Sequence, residues 1–156
     1  MRTAFLTTFP NQAWDVYAKD MVASFNRFAP SDIPLLIKLD NDQIVNQVAP
    51  TSRPCDAISL GWGEDYVDFV NKYQDRESPD NYRYQAVRFC HKVFALMDSL
   101  KAIDMHKEAT GQGTRYLIWV DADVHLTREV TQEDIEKCLP KKGDAVSYLG
   151  RKDWPH

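Results

Sequence analysis

An uninterrupted apolar run at residues 116–120 (Tyr-Leu-Ile-Trp-Val) constrains the fold of this chain more than any other feature. Five apolar residues without polar alternation predict a strand that is covered on both faces, because a strand with one solvent face alternates. Strands of this kind are typical of parallel sheets that carry helices on both sides. The run therefore predicts an α/β domain in which this strand is central.

Strand and helix patterns alternate along the rest of the chain. The predicted strands, bounded by Pro, Gly, Asn or Asp, are residues 3–9, 35–39, 56–60, 116–120 and 145–149. The predicted helices are residues 13–28, 66–73 and 82–104, with a short fourth helix that begins at a capping-box pattern, Thr131 with Asp134, and ends at Pro140. This alternation predicts a mainly parallel sheet flanked by helices, and we expect residues 1–156 to form a single domain.

The long predicted helix has two distinct faces. Its apolar positions at helical spacing predict the buried face: Val87, Cys90, Val93, Phe94, Met97 and Leu100. Arg88, His91 and Lys92 form a basic stripe on the other side. Such a stripe is either a solvated face or a site for a diphosphate, if the helix packs beside the strand at residues 116–120.

Composition excludes several classes of protein. A hydrophobic fraction of 44% in 156 residues is enough for a core, which argues against disorder. The net charge of −4 argues against a nucleic-acid binder. Cys55, Cys90 and Cys138 lie far apart, which favours reduced thiols over a disulfide framework or a zinc site. With no apolar stretch of about 20 residues and no signal-peptide pattern, we expect a cytoplasmic protein without a membrane span.

The sharpest chemical signal is a pair of carboxylates, Asp121 and Asp123, directly after the apolar run. Ligands of open α/β sheets bind at the carboxyl ends of the strands. In an extended chain, residues two apart point to the same side, so the two carboxylates would repel each other unless a cation lies between them. Mg²⁺ or Mn²⁺ suits such oxygen ligands. The alternative is a solvated acidic turn.

Two stretches carry a resemblance to a known family: residues 88–96 (RFCHKVFAL) and residues 116–123 (YLIWVDAD). The chain resembles the N-terminal, donor-binding half of a nucleotide-diphospho-sugar transferase, a glycosyltransferase of the GT-A type. The resemblance spans most of the chain and implies a Rossmann-like sheet. It also implies that Asp121 and Asp123 bind Mn²⁺ or Mg²⁺ on the diphosphate of a UDP- or GDP-sugar.

The resemblance also implies a set of donor-binding residues. Thr7, Thr8 and Phe9, at the end of the first strand, would line the nucleoside pocket, and Asp40 would contact the base or ribose. Arg88 or Lys92 would contact the donor. In such enzymes an acceptor-binding half follows, whereas this sequence ends one predicted strand later, so we expect the donor-binding half alone. The acceptor and the catalytic base are not identified, and a homo-oligomer is compatible with the sequence.

Two other functions remain open at this point. A non-catalytic module of the same fold would bind a nucleotide sugar or a partner without turnover. A phosphatase of the haloacid dehalogenase class also places D-x-D at the end of a strand. Its pattern requires a Thr two residues after the second Asp, where this chain has His125, and it usually lies near the N-terminus.

Overall fold

A computed structural model describes residues 3–39, 62–76, 78, 80–81, 85–110 and 116–147, and for residues 105–110 only the backbone. Three strands, β1 (Thr3–Phe9), β2 (Leu35–Leu39) and β3 (Tyr116–Trp119), form a sheet in the order β2-β1-β3. Both pairings are parallel. The predicted α/β class with a parallel sheet is therefore confirmed. The predicted strand at residues 56–60 lies outside the described residues.

The helices follow the predicted segments closely. They are α1 (Lys19–Phe28), α2 (Glu64–Tyr73), α3 (Ala86–Thr110) and α4 (Gln132–Cys138). A 3₁₀ turn (Asn11–Ala13) and a π-helical turn (Trp14–Ala18) lead into α1, and a second 3₁₀ turn (Gln74–Arg76) follows α2. None of the helices within the described residues combines the length and the apolar character needed to cross a membrane.

The apolar strand β3 has a different position from the one predicted. Within the described residues, β1 is the middle strand and β3 lies at the edge, where all four of its residues are only half-buried. β1 takes the middle because it hydrogen-bonds to a neighbour on each side and is buried along nearly its whole length. An apolar run indicates that both faces of a strand are covered by other elements. It does not indicate how many neighbouring strands pair with that strand in the sheet.

The main core lies between one face of the sheet and α1. Phe5 of β1 packs edge-on against Phe25 of α1, with the ring centroids 5.1 Å apart. The segment after β3 crosses the same face, because the Val130 N–H donates to the Phe28 carbonyl at 2.9 Å. Ile135 of α4 is buried in this core. The chain after residue 120 is thereby tied to α1.

Helix α3 covers the opposite face of the sheet, but it buries other residues than predicted. Between residues 86 and 104, where the structure describes its side chains, the buried ones are Cys90, Ala95 and Ser99. Phe94 packs against Tyr66 of α2 at 5.6 Å between ring centroids. The prediction that Val93, Met97 and Leu100 are buried is wrong, since they are 41–53% exposed. Small side chains let a helix lie close to a sheet, so α3 uses its small residues for this contact.

The last predicted strand, residues 145–149, is wrong in its described part. Residues 145–147 are not extended strand, and the side chain of Val146 is exposed. Gly143 has a φ of 99°, a left-handed conformation that favours glycine, and it turns the chain back after α4. The Ser147 hydroxyl then donates to the Cys138 carbonyl at the end of α4. Residues 148–149 lie outside the described residues.

The predicted capping box at α4 is confirmed, and it implies an acid-sensitive contact. Asp134 accepts two hydrogen bonds from Arg128, each 3.0 Å, and one from the Thr131 N–H at 3.0 Å. The Arg128 hydrogen bonds, and then those from Thr131, hold the pKa of the Asp134 carboxyl well below its ordinary value. A lowered pKa in the folded state stabilises the fold above the unfolded pKa of about 4, and this contribution is lost as the pH falls further.

We therefore expect Asp134→Asn to lose less of its unfolding free energy between pH 6 and pH 3 than the unchanged protein does. The amide cannot gain the proton that breaks the contact with Arg128. Urea denaturation at the two pH values measures the difference. An equal loss in both proteins would contradict the prediction.

Candidate functional site

Near the carboxyl ends of the three strands, a set of four side chains lies on a single face of the sheet. In the register, Thr8 of β1 is opposite Lys38 of β2, and Leu6 of β1 is opposite Trp119 of β3. Because alternate residues of a strand share a face, these four side chains lie on the side that α3 covers. Lys38 and Trp119 both contact residues of α3, which agrees with this placement.

Asp121, two residues after Trp119, is held by contacts from β3 and α3. The Trp119 Nε1–H donates to Asp121 Oδ1 at 2.6 Å, and Lys92 Nζ lies 3.4 Å from the same oxygen. The Lys92 ammonium also lies 4.9 Å from the centre of the Trp119 ring. The basic stripe could serve a diphosphate only if α3 packs beside this strand. The contact between Lys92 and Asp121 meets that condition.

The D-x-D segment forms a turn and does not continue the strand. β3 ends at Trp119, and the Val124 N–H donates to the Asp121 carbonyl at 3.0 Å. Ala122 is buried between the two aspartates, whose side chains are exposed. The expectation that the chain is extended at the two aspartates is therefore wrong. Their arrangement comes from a turn whose middle residue is anchored in the core.

The predicted basic stripe divides into three different environments. Lys92 reaches Asp121, whereas Arg88 donates to Gln85 Oε1 one turn earlier at 3.0 Å. His91 is half-buried against α2, with its Nδ1 3.5 Å from the Tyr66 hydroxyl oxygen. Lys92 is thus a member of the stripe that contacts the D-x-D turn.

The predicted nucleoside-pocket residues lie on both faces of the sheet. Thr8 is half-buried on the α3 face, and its hydroxyl donates to the Lys38 carbonyl at 2.7 Å. Thr7 and Phe9 have the opposite orientation and are buried on the α1 side, where the Phe9 ring stacks on Trp14 at 6.1 Å. Asp40 lies outside the described residues. Of Thr7, Thr8 and Phe9, Thr8 is therefore the one on the α3 face of the sheet, where Lys92 of α3 contacts Asp121.

A buried lysine on the same face was not predicted. The Lys38 ammonium forms an ion pair with Asp98 of α3 and lies 4.4 Å from the centre of the Trp62 ring. Trp62 in turn stacks on Tyr66 at 4.1 Å. The available signal was the one charged residue in the otherwise apolar strand Leu35–Leu39. Its partner is 60 residues away and has no local sequence signature.

The donor chemistry of the turn fits a hard divalent cation in an open site. Two exposed carboxylates offer oxygen ligands, which Mg²⁺ and Mn²⁺ prefer. In the part of the chain that the structure describes, no three His, Cys, Asp or Glu side chains gather into a metal-binding group. Asp121 and Asp123 would therefore hold such an ion together with water and phosphate oxygens, which is the usual mode for Mg²⁺ on a phosphorylated substrate.

No protein-family model, curated protein or solved structure matches this chain.

Proposed function

We propose that this chain binds a UDP- or GDP-sugar through a divalent metal held by Asp121 and Asp123, and that it transfers the sugar to an acceptor as a GT-A type glycosyltransferase. The observation that carries the proposal is the contact of Lys92 with Asp121, 3.4 Å between nitrogen and oxygen. It puts an exposed ammonium group beside one of the two carboxylates of the turn. This turn follows a strand of a parallel sheet, where α/β proteins bind ligands.

Each residue has a separate role in this proposal. Asp121 and Asp123 hold the ion, Lys92 offers a point charge to the diphosphate oxygens, and Trp119 orients Asp121 through its indole N–H. The ion, when bound, stabilises negative charge on the leaving nucleoside diphosphate. The acceptor hydroxyl gives up its proton to a general base, its oxygen bonds to the anomeric carbon, and the bond from that carbon to the diphosphate oxygen breaks. The charge left on the diphosphate develops beside Lys92.

The test is release of nucleoside diphosphate from a panel of UDP- and GDP-sugars, with and without Mn²⁺. We expect release that requires the metal and falls at least about 100-fold in Asp121→Asn and in Asp123→Asn. Asp20→Asn is the matched control, because Asp20 is an exposed aspartate of α1, on the other face of the sheet. Its activity should equal that of the unchanged protein.

The other outcomes of this assay separate the competing functions. Metal-dependent binding of the nucleotide without release of diphosphate would replace transfer by a non-catalytic binding module. Hydrolysis of a phosphomonoester that depends on Asp121 alone would indicate a phosphatase. Activity that is equal in the two variants and in the control would contradict the proposed site.

A further inference from the structure

We propose that Lys92 competes with the metal for Asp121 and moves to the donor diphosphate once the metal is bound. The inference rests on the proposed function, and it assigns to Lys92 a positioning role with two successive partners. The carboxylate of Asp121 in this structure already has a cation beside it, and that cation belongs to the protein. A metal ion that binds this carboxylate therefore meets a side-chain cation that is already beside it.

Two N–H groups converge on one oxygen of Asp121. The indole N–H of Trp119 donates to Oδ1 at 2.6 Å, and the Lys92 ammonium is 3.4 Å from the same atom. A carboxylate oxygen has about two lone-pair directions, so the two donors together use both. A cation that binds Oδ1 must displace one of them. A cation that binds the second oxygen stays within a few ångströms of the ammonium, and the two positive charges repel each other.

The two donors differ in how freely they can leave. Trp119 is a residue of β3, and its main chain is fixed by pairing with β1. The Lys92 side chain is 50% exposed, so it can turn into water without moving the backbone. Lys38, on the same face of the sheet, is 1% exposed and has no such freedom. Lys92 is therefore the group that yields to the metal.

The effect of Lys92 on binding then changes sign between the two ligands. With the metal alone, the ammonium opposes binding, because a dication about 5 Å from a unit charge in water costs roughly a tenfold loss of affinity. With metal and nucleoside diphosphate together, the displaced ammonium has phosphate oxygens to contact, and it favours binding. If Lys92 only supported the fold, its substitution would weaken the binding of both ligands.

The experiment is a calorimetric titration of Mn²⁺ alone, followed by a titration of UDP at saturating Mn²⁺. We expect Lys92→Met to bind Mn²⁺ about tenfold more tightly and UDP about tenfold more weakly than the unchanged protein. Lys92→Arg, which keeps the cation, should restore both affinities. Lys101→Met is the matched control, since Lys101 is an exposed lysine of the same helix that pairs with Asp65 instead, at 3.8 Å. It should change neither affinity.

The remaining outcomes distinguish this inference from the proposed function. If Mn²⁺ binds the unchanged protein and Lys92→Met binds it no more tightly, the exchange is overturned and the metal site stands. An equal gain in Lys101→Met would assign the effect to overall charge and also overturn the exchange. If no variant binds Mn²⁺, the metal site itself fails and the exchange fails with it.

Binding of Mn²⁺ by Lys92→Met alone would support the exchange. If the Met variant does not fold, as judged by thermal melting, Lys92→Gln takes its place with the same expectations.

Discussion

Asp98→Ala is expected to lower the free energy of unfolding by about 3–5 kcal/mol, the usual cost of leaving one member of a buried ion pair without its partner. The Lys38 side chain is 1% exposed and that of Asp98 18%, so the alanine would leave an ammonium group almost fully away from water. The Trp62 ring, 4.4 Å from the Lys38 nitrogen, offers a cation–π contact. Such a contact is worth about 0.5–2 kcal/mol and cannot replace the carboxylate.

A set of variants measured by urea denaturation isolates the ion pair. Lys38→Met should cost less than Asp98→Ala, because the orphaned carboxylate retains some contact with water. Combining Lys38→Met with Asp98→Leu should recover much of the loss, since no unpaired charge remains buried. Asp65→Ala is the control, because Asp65 forms an exposed pair with Lys101 and should cost less than about 1 kcal/mol. A cost below about 1 kcal/mol for Asp98→Ala would show that the burial of the Lys38 ammonium does not require Asp98.

The second large effect concerns ligand binding. Mn²⁺ together with UDP or GDP, at about 100 times the dissociation constant, should stabilise the fold by roughly 2.7 kcal/mol. For a chain of this size, that corresponds to a rise of roughly 5–10 °C in melting temperature. Asp123→Ala should abolish the rise, because it removes one of the two carboxylates of the turn. Thermal melting with each nucleotide, with and without Mn²⁺, measures the effect.

Asp20→Asn serves again as the matched control and should keep the full rise in melting temperature. The nucleotide without Mn²⁺ should give little or no rise, because the diphosphate would then meet the two carboxylates without a bridging cation. A rise that survives Asp123→Ala would place the ligand elsewhere on the protein. The absence of a rise with every nucleotide would remove the donor site from the proposal.

Within the described residues, most of the secondary structure was predictable from local patterns. The strands Thr3–Phe9 and Leu35–Leu39 were predicted to the residue, and β3 ends one residue before the predicted limit. The capping box of Thr131 and Asp134 was also predicted. These features depend on residues a few positions apart, so hydrophobic spacing and hydrogen-bonding side chains indicate them directly.

Predictions that required knowledge of distant neighbours were less successful. Helix α3 carries apolar residues around much of its circumference, so its spacing alone did not show that Cys90, Ala95 and Ser99 face the sheet. At the D-x-D segment the sequence left an extended chain and an acidic turn both open, because the hydrogen bond from Val124 that closes the turn is not encoded in the two aspartates. Both outcomes depend on packing energies that are summed over several elements.

The sequence by itself therefore determined the α/β class, the main strands and helices, and the residue types available for a cation or a diphosphate. Only the tertiary structure decided which charges meet. Lys92 and Asp121 are 29 residues apart, and Lys38 and Asp98 are 60 apart. Electrostatic contacts act over a few ångströms of space, whatever the separation along the chain. Because α3 packs on the carboxyl end of the sheet, Lys92 contacts the D-x-D turn and Lys38 forms a buried ion pair with Asp98.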